Sequence, residues 1–167
     1  MKLHTARHVE EARAFFMQMG ELHTEYWRNK GQSGSFVNLR WLEFHRALID
    51  AGYANDHIQM IRVSFGTTVI GYVYNLKWMN KIYNIQSGFH YSGDNRDKPG
   101  LVSHYLAIKY CYESGIDYYD MLAGDEDYKK SFANSETRMT WMVLQRKNVW
   151  FQLETLLKKV KAGIRSL

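Results

Sequence analysis

The chain has 167 residues, enough for one domain with a full core and too few for two comfortable ones; 46% are apolar and 15% aromatic, which excludes intrinsic disorder. The lone Cys111 excludes an intrachain disulfide and fits a reducing compartment, and no apolar run approaches the roughly 20 residues of a membrane span. The formal charge of +5 belongs to the end of the chain: residues 1–144 balance 16 basic against 16 acidic side chains, whereas residues 145–167 carry Arg146, Lys147, Lys158, Lys159, Lys161 and Arg165 against Glu154 alone. Such a terminal segment is ordinarily a solvated face, so a nucleic-acid partner is not expected. With no apolar signal-peptide core at the start, the expected location is cytoplasmic.

In chain order, Val9, Ala12, Phe15, Phe16, Met19, Leu22, Tyr26 and Trp27 recur at spacings of three and four and predict an amphipathic helix ending before Gly31. His23 and Trp27 lie one turn apart on it, either packed at its boundary or facing a cleft. Gly31-Gln32-Ser33-Gly34-Ser35 reads as a flexible connection, and Asn38 as the cap of a second helix through Leu42, His45, Leu48 and Ile49 to Gly52. Two helices are therefore expected before any strand. From Ile58 the period falls to two, and turns at Gly66-Thr67 and Asn80-Lys81 fold three runs into an antiparallel meander. Gly71 and Gly88 mark a bulge or the close approach of a ligand.

The third strand reaches Tyr91 and empties through a polar loop into a helix running from Leu101 to about Ser114. A helix start offers free N–H groups and the positive end of the dipole. Arg96 and Lys98 add charge, and Pro99-Gly100 leaves no side chain between backbone and ligand. This outlines an anion site, or else a plain loop-to-helix junction. Leu101, Tyr105, Ile108 and Tyr112 form the apolar stripe of the helix, and Cys111 reads as a buried residue rather than a nucleophile. The run 116–122 is β-rich, so strand, helix and strand form a unit whose strands lie parallel and adjacent. Ligands sit at the carboxyl ends of such strands, where segments 87–98 and 120–129 should converge. A helical piece at 128–133, a strand over 139–145 and a terminal helix striped by Val149, Leu153, Leu156, Leu157 and Val160 complete the pattern. The scattered histidines lack metal-ligand spacing and no G-x-S-x-G elbow is present.

These elements, with Leu22-His23 and Trp27, Phe44-His45-Arg46, Gln86-Ser87-Gly88-Phe89 with Tyr91, Lys98-Pro99-Gly100-Leu101-Val102, and Tyr119-Asp120-Met121-Leu122-Ala123-Gly124-Asp125 followed by Tyr128-Lys129, give a chain that resembles the GNAT acyltransferase superfamily. The resemblance is to its CelD-type branch, related to the FemAB-like transferases. It implies an α/β (α+β) fold as a single domain over 1–167, with a mostly antiparallel central sheet, one parallel pair and helices on both faces. The implied reaction is N-acylation, with acetyl-CoA or another acyl-CoA as donor and an amine of a small molecule, sugar or peptide as acceptor.

The resemblance further assigns Ser87, Gly88, Phe89, Arg96, Lys98, Pro99, Gly100, Leu101 and Val102 to the donor. His90, Asp120 and Asp125 become candidate bases, Tyr128 the acid for the leaving thiolate, Lys129 a stabiliser of developing charge, and His23, Trp27 and Arg46 acceptor contacts. No metal is implied. The chain departs from the superfamily in its phosphate loop, usually Gln or Arg followed by paired glycines, of which only Gly100 survives. Members of the branch usually carry two GNAT-like halves and this chain matches the second, so a homodimer or a second half is an expected partner. The alternatives are aminoacyl transfer from charged tRNA and a non-catalytic partner domain in polysaccharide biosynthesis.

Overall fold

A computed structural model describes residues 1–92, 97–144, 148, 151 and 154. The chain divides into two units, residues 1–134 and 135–167. In the first, β1 (Lys2–Thr5), α1 (Val9–Asn29), a 3₁₀ turn (Ser35–Val37), α2 (Leu39–Tyr53), β2 (Ile58–Phe65), β3 (Thr68–Trp78), β4 (Lys81–Phe89), α3 (Pro99–Glu113), β5 (Tyr118–Asp120) and α4 (Asp127–Lys130) follow one another. The sheet has the order β1-β2-β3-β4-β5, antiparallel throughout except for the parallel β4–β5 pair. This is the mixed α/β architecture expected from the sequence.

Two cores sandwich the sheet because β2 and β3 alternate apolar side chains between its faces. Ile58, Met60, Tyr72 and Tyr74 meet Ala12, Phe15, Phe16 and Met19 of α1 and Ile49 of α2; Ile61, Val63 and Val73 meet Ala107 of α3. Asn38 caps α2 as predicted, its Oδ1 accepting the Trp41 N–H at 3.2 Å. The β3–β4 turn places Met79 and Asn80 at positive φ between the paired Trp78 and Lys81, the conformation a two-residue hairpin requires.

The structure corrects four sequence expectations. A strand does precede the helices: β1 pairs with β2 from Lys2↔Ser64 to Thr5↔Ile61, an edge held by backbone bonds that four residues cannot announce by periodicity. The buried face of α3 is Ser103, His104, Ala107 and Cys111, while Tyr105 and Tyr112 are exposed. Small side chains at spacing four let this helix approach the sheet closely, which an apolarity stripe does not register. The short helix near 128 spans only Asp127–Lys130. In the second unit, residues 139–144 carry no strand and their apolar side chains are exposed, Trp141 by 95%. A β-rich run becomes a strand only with a ladder partner, and none is present among the described residues. Residue 145 and the terminal stripe of Val149, Leu153, Leu156, Leu157 and Val160 lie outside the described residues.

Candidate acyl-transfer site

The site is organised by where β5 leaves the sheet. β4 pairs with β3 along its length, from Trp78↔Lys81 to Gly71↔Phe89, but with β5 only through Lys81↔Tyr118, Ile82↔Tyr119 and Tyr83↔Asp120. Beyond Tyr83, the β5-side edge of β4 has no strand partner among the described residues. The outward-facing backbone groups between 84 and 89 thereby lack a strand partner; of their donors, the Ser87 N–H is held by Gln86 Oε1 at 3.0 Å, which leaves that of Phe89 to a ligand.

A bulge sets what this edge presents to either side. Asn75 pairs with Asn84 and Tyr74 with Gln86, so Ile85 is the extra residue. Ile85 packs into the α1 core, and Gln86 Nε2 donates to Ser35 Oγ at 3.3 Å. Gly88 also faces α1, where an added Cβ would stand 2.3 Å from the Met19 carbonyl oxygen. The anticipated close approach at Gly88 is thus made by α1. Gly71 sits at the other predicted irregularity, a register shift between Val63 and Ser64, and a Cβ there would meet Phe89 at 2.5 Å and Ser103 Oγ at 2.9 Å.

On the α3 side, Phe89 lies against the start of the helix, where a Cβ on Gly100 would stand 3.2 Å from its ring. Pro99 occupies the first turn of α3, and the side chain of the N-cap residue, Lys98, makes no capping bond. Among the described residues, the first N–H of the helix to find a backbone acceptor is that of Val102, donating to Lys98 O at 3.0 Å. The preceding N–H groups of Gly100 and Leu101 are those a helix start leaves unsatisfied. The open β4 edge and the open α3 turn are therefore joined through Phe89 and Gly100. Arg96 lies outside the described residues.

A line of rings crosses the end of β4. Tyr26 of α1 stacks on Tyr91 at 5.0 Å, Phe89 meets His104 edge-on at 5.4 Å, and His104 stacks on Tyr128 of α4 at 5.2 Å and 18°. His104 is fully buried with neither ring nitrogen hydrogen-bonded, and burial, aided by the nearby Lys129 charge, lowers its pKa to about 4. Burial first, then the neighbouring Glu126 and Tyr91, pushes the Tyr128 phenol up to about 12, so it keeps its proton.

The acidic segment is largely self-engaged. Asp120 Oδ1 accepts the Leu122 N–H at 2.7 Å, fixing a turn in which Leu122 has positive φ. Lys129 Nζ donates to Ala123 O at 2.7 Å and pairs with Glu126 at 3.0 Å. Asp125 is exposed and pairs with Lys130 at 2.7 Å, which lowers its pKa. His90 is exposed, with its backbone N–H on Ile70 O at 3.0 Å.

On the α1 face, Trp27 Nε1 donates to His23 Nε2 at 2.9 Å, and burial lowers the His23 pKa to about 4. Arg46 is exposed on α2 with its guanidinium on Met17 Sδ at 2.9 Å.

The structure thus brings Phe89, Gly100 and Tyr128 together around His104 on the α3 side, while Gly88 lies against α1, the helix that also carries His23 and Trp27. Sequence reading missed His104, and with it a buried polar chain in which Asn75 donates to Gln59 at 2.8 Å and Asn84 to Asn75 at 2.9 Å. The only signal was polar residues within otherwise apolar strands. Cys111, 1% exposed, has its thiol pushed up to about 11 by burial, as suits a packing residue. Among the described residues no cluster of metal-ligating side chains is found, and no helix is long and apolar enough to cross a membrane.

An open strand edge beside an open helix turn suits a ligand carrying both a carbonyl and a phosphate, the demand of an acyl-transfer fold. The chain belongs to the family described as acetyltransferase (GNAT) domain, whose model matches residues 1–130. Similar solved structures include an aminoglycoside acetyltransferase from an uncultured soil metagenomic sample in complex with trehalose, 12% identical, covering 87% of this chain and 96% of that one with a TM-score of 0.55. A predicted acetyltransferase with acetyl-CoA from Clostridium acetobutylicum is 11% identical, covering 86% and 95% with a TM-score of 0.55. An integron cassette protein from the mobile metagenome of Cole Harbour Salt Marsh is 14% identical, covering 88% and 92% with a TM-score of 0.53. No curated protein matches the chain. These neighbours share its fold, and the family makes it an enzyme of the acetyltransferase class.

Proposed function

We propose that the chain transfers an acyl group, acetyl first, from an acyl-CoA to an amine of a small molecule, sugar or peptide, by direct attack on the thioester, and that it belongs to the CelD-type branch of its superfamily. The observation that carries the reading is the departure of β5 after three rungs beside a first turn of α3 that the Lys98 side chain leaves without a cap. Gly100 and Leu101 N–H groups, with Lys98, hold the donor phosphates, and the absence of a side chain at Gly100 keeps that approach open. Val102 shapes this turn with a backbone N–H that is already engaged.

Within Ser87 to Phe89, the Phe89 N–H donates to the thioester oxygen as it gathers negative charge, with the Ser87 N–H already held by Gln86 Oε1 and Gly88 set against β3 and α1. His90 takes the proton that the amine loses, since Asp120 is engaged in its turn and Asp125 by Lys130. A nitrogen–carbon bond forms, the carbon–sulfur bond breaks, and the Tyr128 hydroxyl gives its proton to the departing thiolate. Lys129, held on Ala123 and Glu126, keeps a positive charge near Tyr128 and fixes the loop before α4.

Calorimetric titration with acetyl-CoA tests the reading. Wild type is expected to bind with a Kd of about micromolar order, and Gly100→Trp to lose at least about tenfold, since even a Cβ meets the Phe89 ring at 3.2 Å. Equal affinity in the two proteins would remove the donor from the α3 turn, and no binding at millimolar ligand would overturn the stand-alone acyltransferase.

A further inference from the structure

We propose that the acceptor is a hydroxyl-bearing amine, and that His23 recognises its oxygen through an Nδ1–H donor covered by Gly34. The inference rests on the acyl-transfer reading and adds the chemistry of the acceptor.

The tautomer follows from the neighbour. An indole nitrogen is a donor only, so the 2.9 Å bond from Trp27 Nε1 leaves His23 Nε2 with a lone pair. In the neutral ring the hydrogen is then on Nδ1. That nitrogen is buried and without a hydrogen-bond partner, in a residue only 6% exposed. Buried donors are nearly always satisfied, so one that is not points to a partner that arrives. The same tautomer leaves His23 without a free basic nitrogen, its Nε2 lone pair being occupied by Trp27.

The cover is specific. A Cβ on Gly34 would stand 2.7 Å from Nδ1 and 2.4 Å from Cε1, so any side chain there would fill the space in front of the donor. Gly34 is held by its carbonyl, which accepts from Val37 N at a long 3.3 Å. Its neighbour Ser35 is bonded to Gln86, which lies in the half of β4 left open by β5. The donor thus lies under a glycine whose neighbour, Ser35, is linked to the open half of β4 through the Gln86 side chain, on the α1 side rather than the α3 side proposed for phosphate. The rings facing His23 are those of Trp27 and Phe36, and the adjoining polar pair, Ser35 and Gln86, is also neutral. A carboxylate would find no formal charge in this set, whereas a hydroxyl oxygen suits a neutral donor.

The test compares two amines differing by one hydroxyl, 2-aminocyclohexanol and cyclohexylamine, as acceptors from acetyl-CoA, read as released thiol. Wild type is expected to favour the amino alcohol by at least about tenfold in kcat/KM, the discrimination a buried donor imposes on a ligand lacking its partner. His23→Phe should reduce the preference to about twofold or less, and His23→Asn, which keeps an N–H near the Nδ1 position, should restore most of it. Acetyl-CoA affinity should be unchanged in both. Nitrogen NMR of histidine-labelled protein should show His23 protonated on Nδ1, with a signal that moves as 2-aminocyclohexanol is added.

An Nε2-protonated ring, equal use of the two amines, or a preference retained in His23→Phe overturns the proposal. Should wild type fail to bind acetyl-CoA, the acyl-transfer reading falls by itself. The Nδ1 signal then decides His23 alone, a saturable shift upholding the donor and an unmoved one overturning it.

Discussion

At the scale of single residues, the proposed proton donor is Tyr128, whose ring stacks on that of His104. His104 cannot charge at neutral pH with a pKa near 4, so Tyr128 stacks on a neutral surface and keeps its phenol protonated. If this hydroxyl protonates the thiolate, Tyr128→Phe retains the stack and removes only the proton. A fall of about 100-fold in kcat is expected, with acetyl-CoA affinity changed by less than about threefold. With the phenol pushed up to about 12, the kcat profile should show no downturn from Tyr128 up to about pH 10. Unchanged kcat in the Phe variant would remove Tyr128 from the reaction.

At the scale of elements, the site is made by backbones that come unusually close. β4 touches α1 at Gly88 and nears α3 at Phe89 and Gly100, and α3 reaches β3 through Ser103 and Gly71. Gly88→Ala would drive a methyl to 2.3 Å from the Met19 carbonyl, a backbone atom that cannot turn aside. A loss of roughly 3 kcal/mol or more in urea unfolding is expected, and a loss below about 1 kcal/mol would mean that α1 shifts freely.

The same contacts explain what the sequence did and did not disclose. The 3.6-residue period of α1, the Asn38 cap and the alternation of β2 and β3 were readable because burial there follows apolarity. The parallel β4–β5 pair was readable because a helix joins the strands. The face of α3 was not, since Ser103, His104, Ala107 and Cys111 are buried for smallness or ring contact rather than apolarity. The bulge at Ile85 was equally hidden: it changes which face Gln86 and Gly88 present without altering the residue pattern. Of the two segments the sequence offered for the candidate site, Ser87 to Lys98 and Asp120 to Lys129, one residue from each, Phe89 and Tyr128, meets the His104 ring. The histidines that flank it became meaningful only with their neighbours in place.

At the scale of the whole molecule, those histidines tie stability to pH. His23 and His104 are held neutral by burial, each lowered from 6.5 to about 4, and burial also lowers His45. Unfolded, each would titrate near its ordinary pKa of about 6.5, so between these values the unfolded chain binds protons that the folded chain refuses. Their contribution is complete above pH 6.5, falls as pH drops toward 4, and falls no further below it. For His23 and His104 the full span is on the order of 3 kcal/mol each. Urea unfolding at pH 7 and at pH 4.5 should therefore show a marked drop for wild type. His104→Phe, which can keep the ring stack on Tyr128, should show a drop smaller by about 2 to 3 kcal/mol. Because the ionised carboxylates of Glu11, Asp125 and Glu126 remain in both proteins, the difference between the two slopes isolates the histidine. Identical slopes would mean that water reaches His104 in the folded chain and that Tyr128 does not rest on a neutral ring.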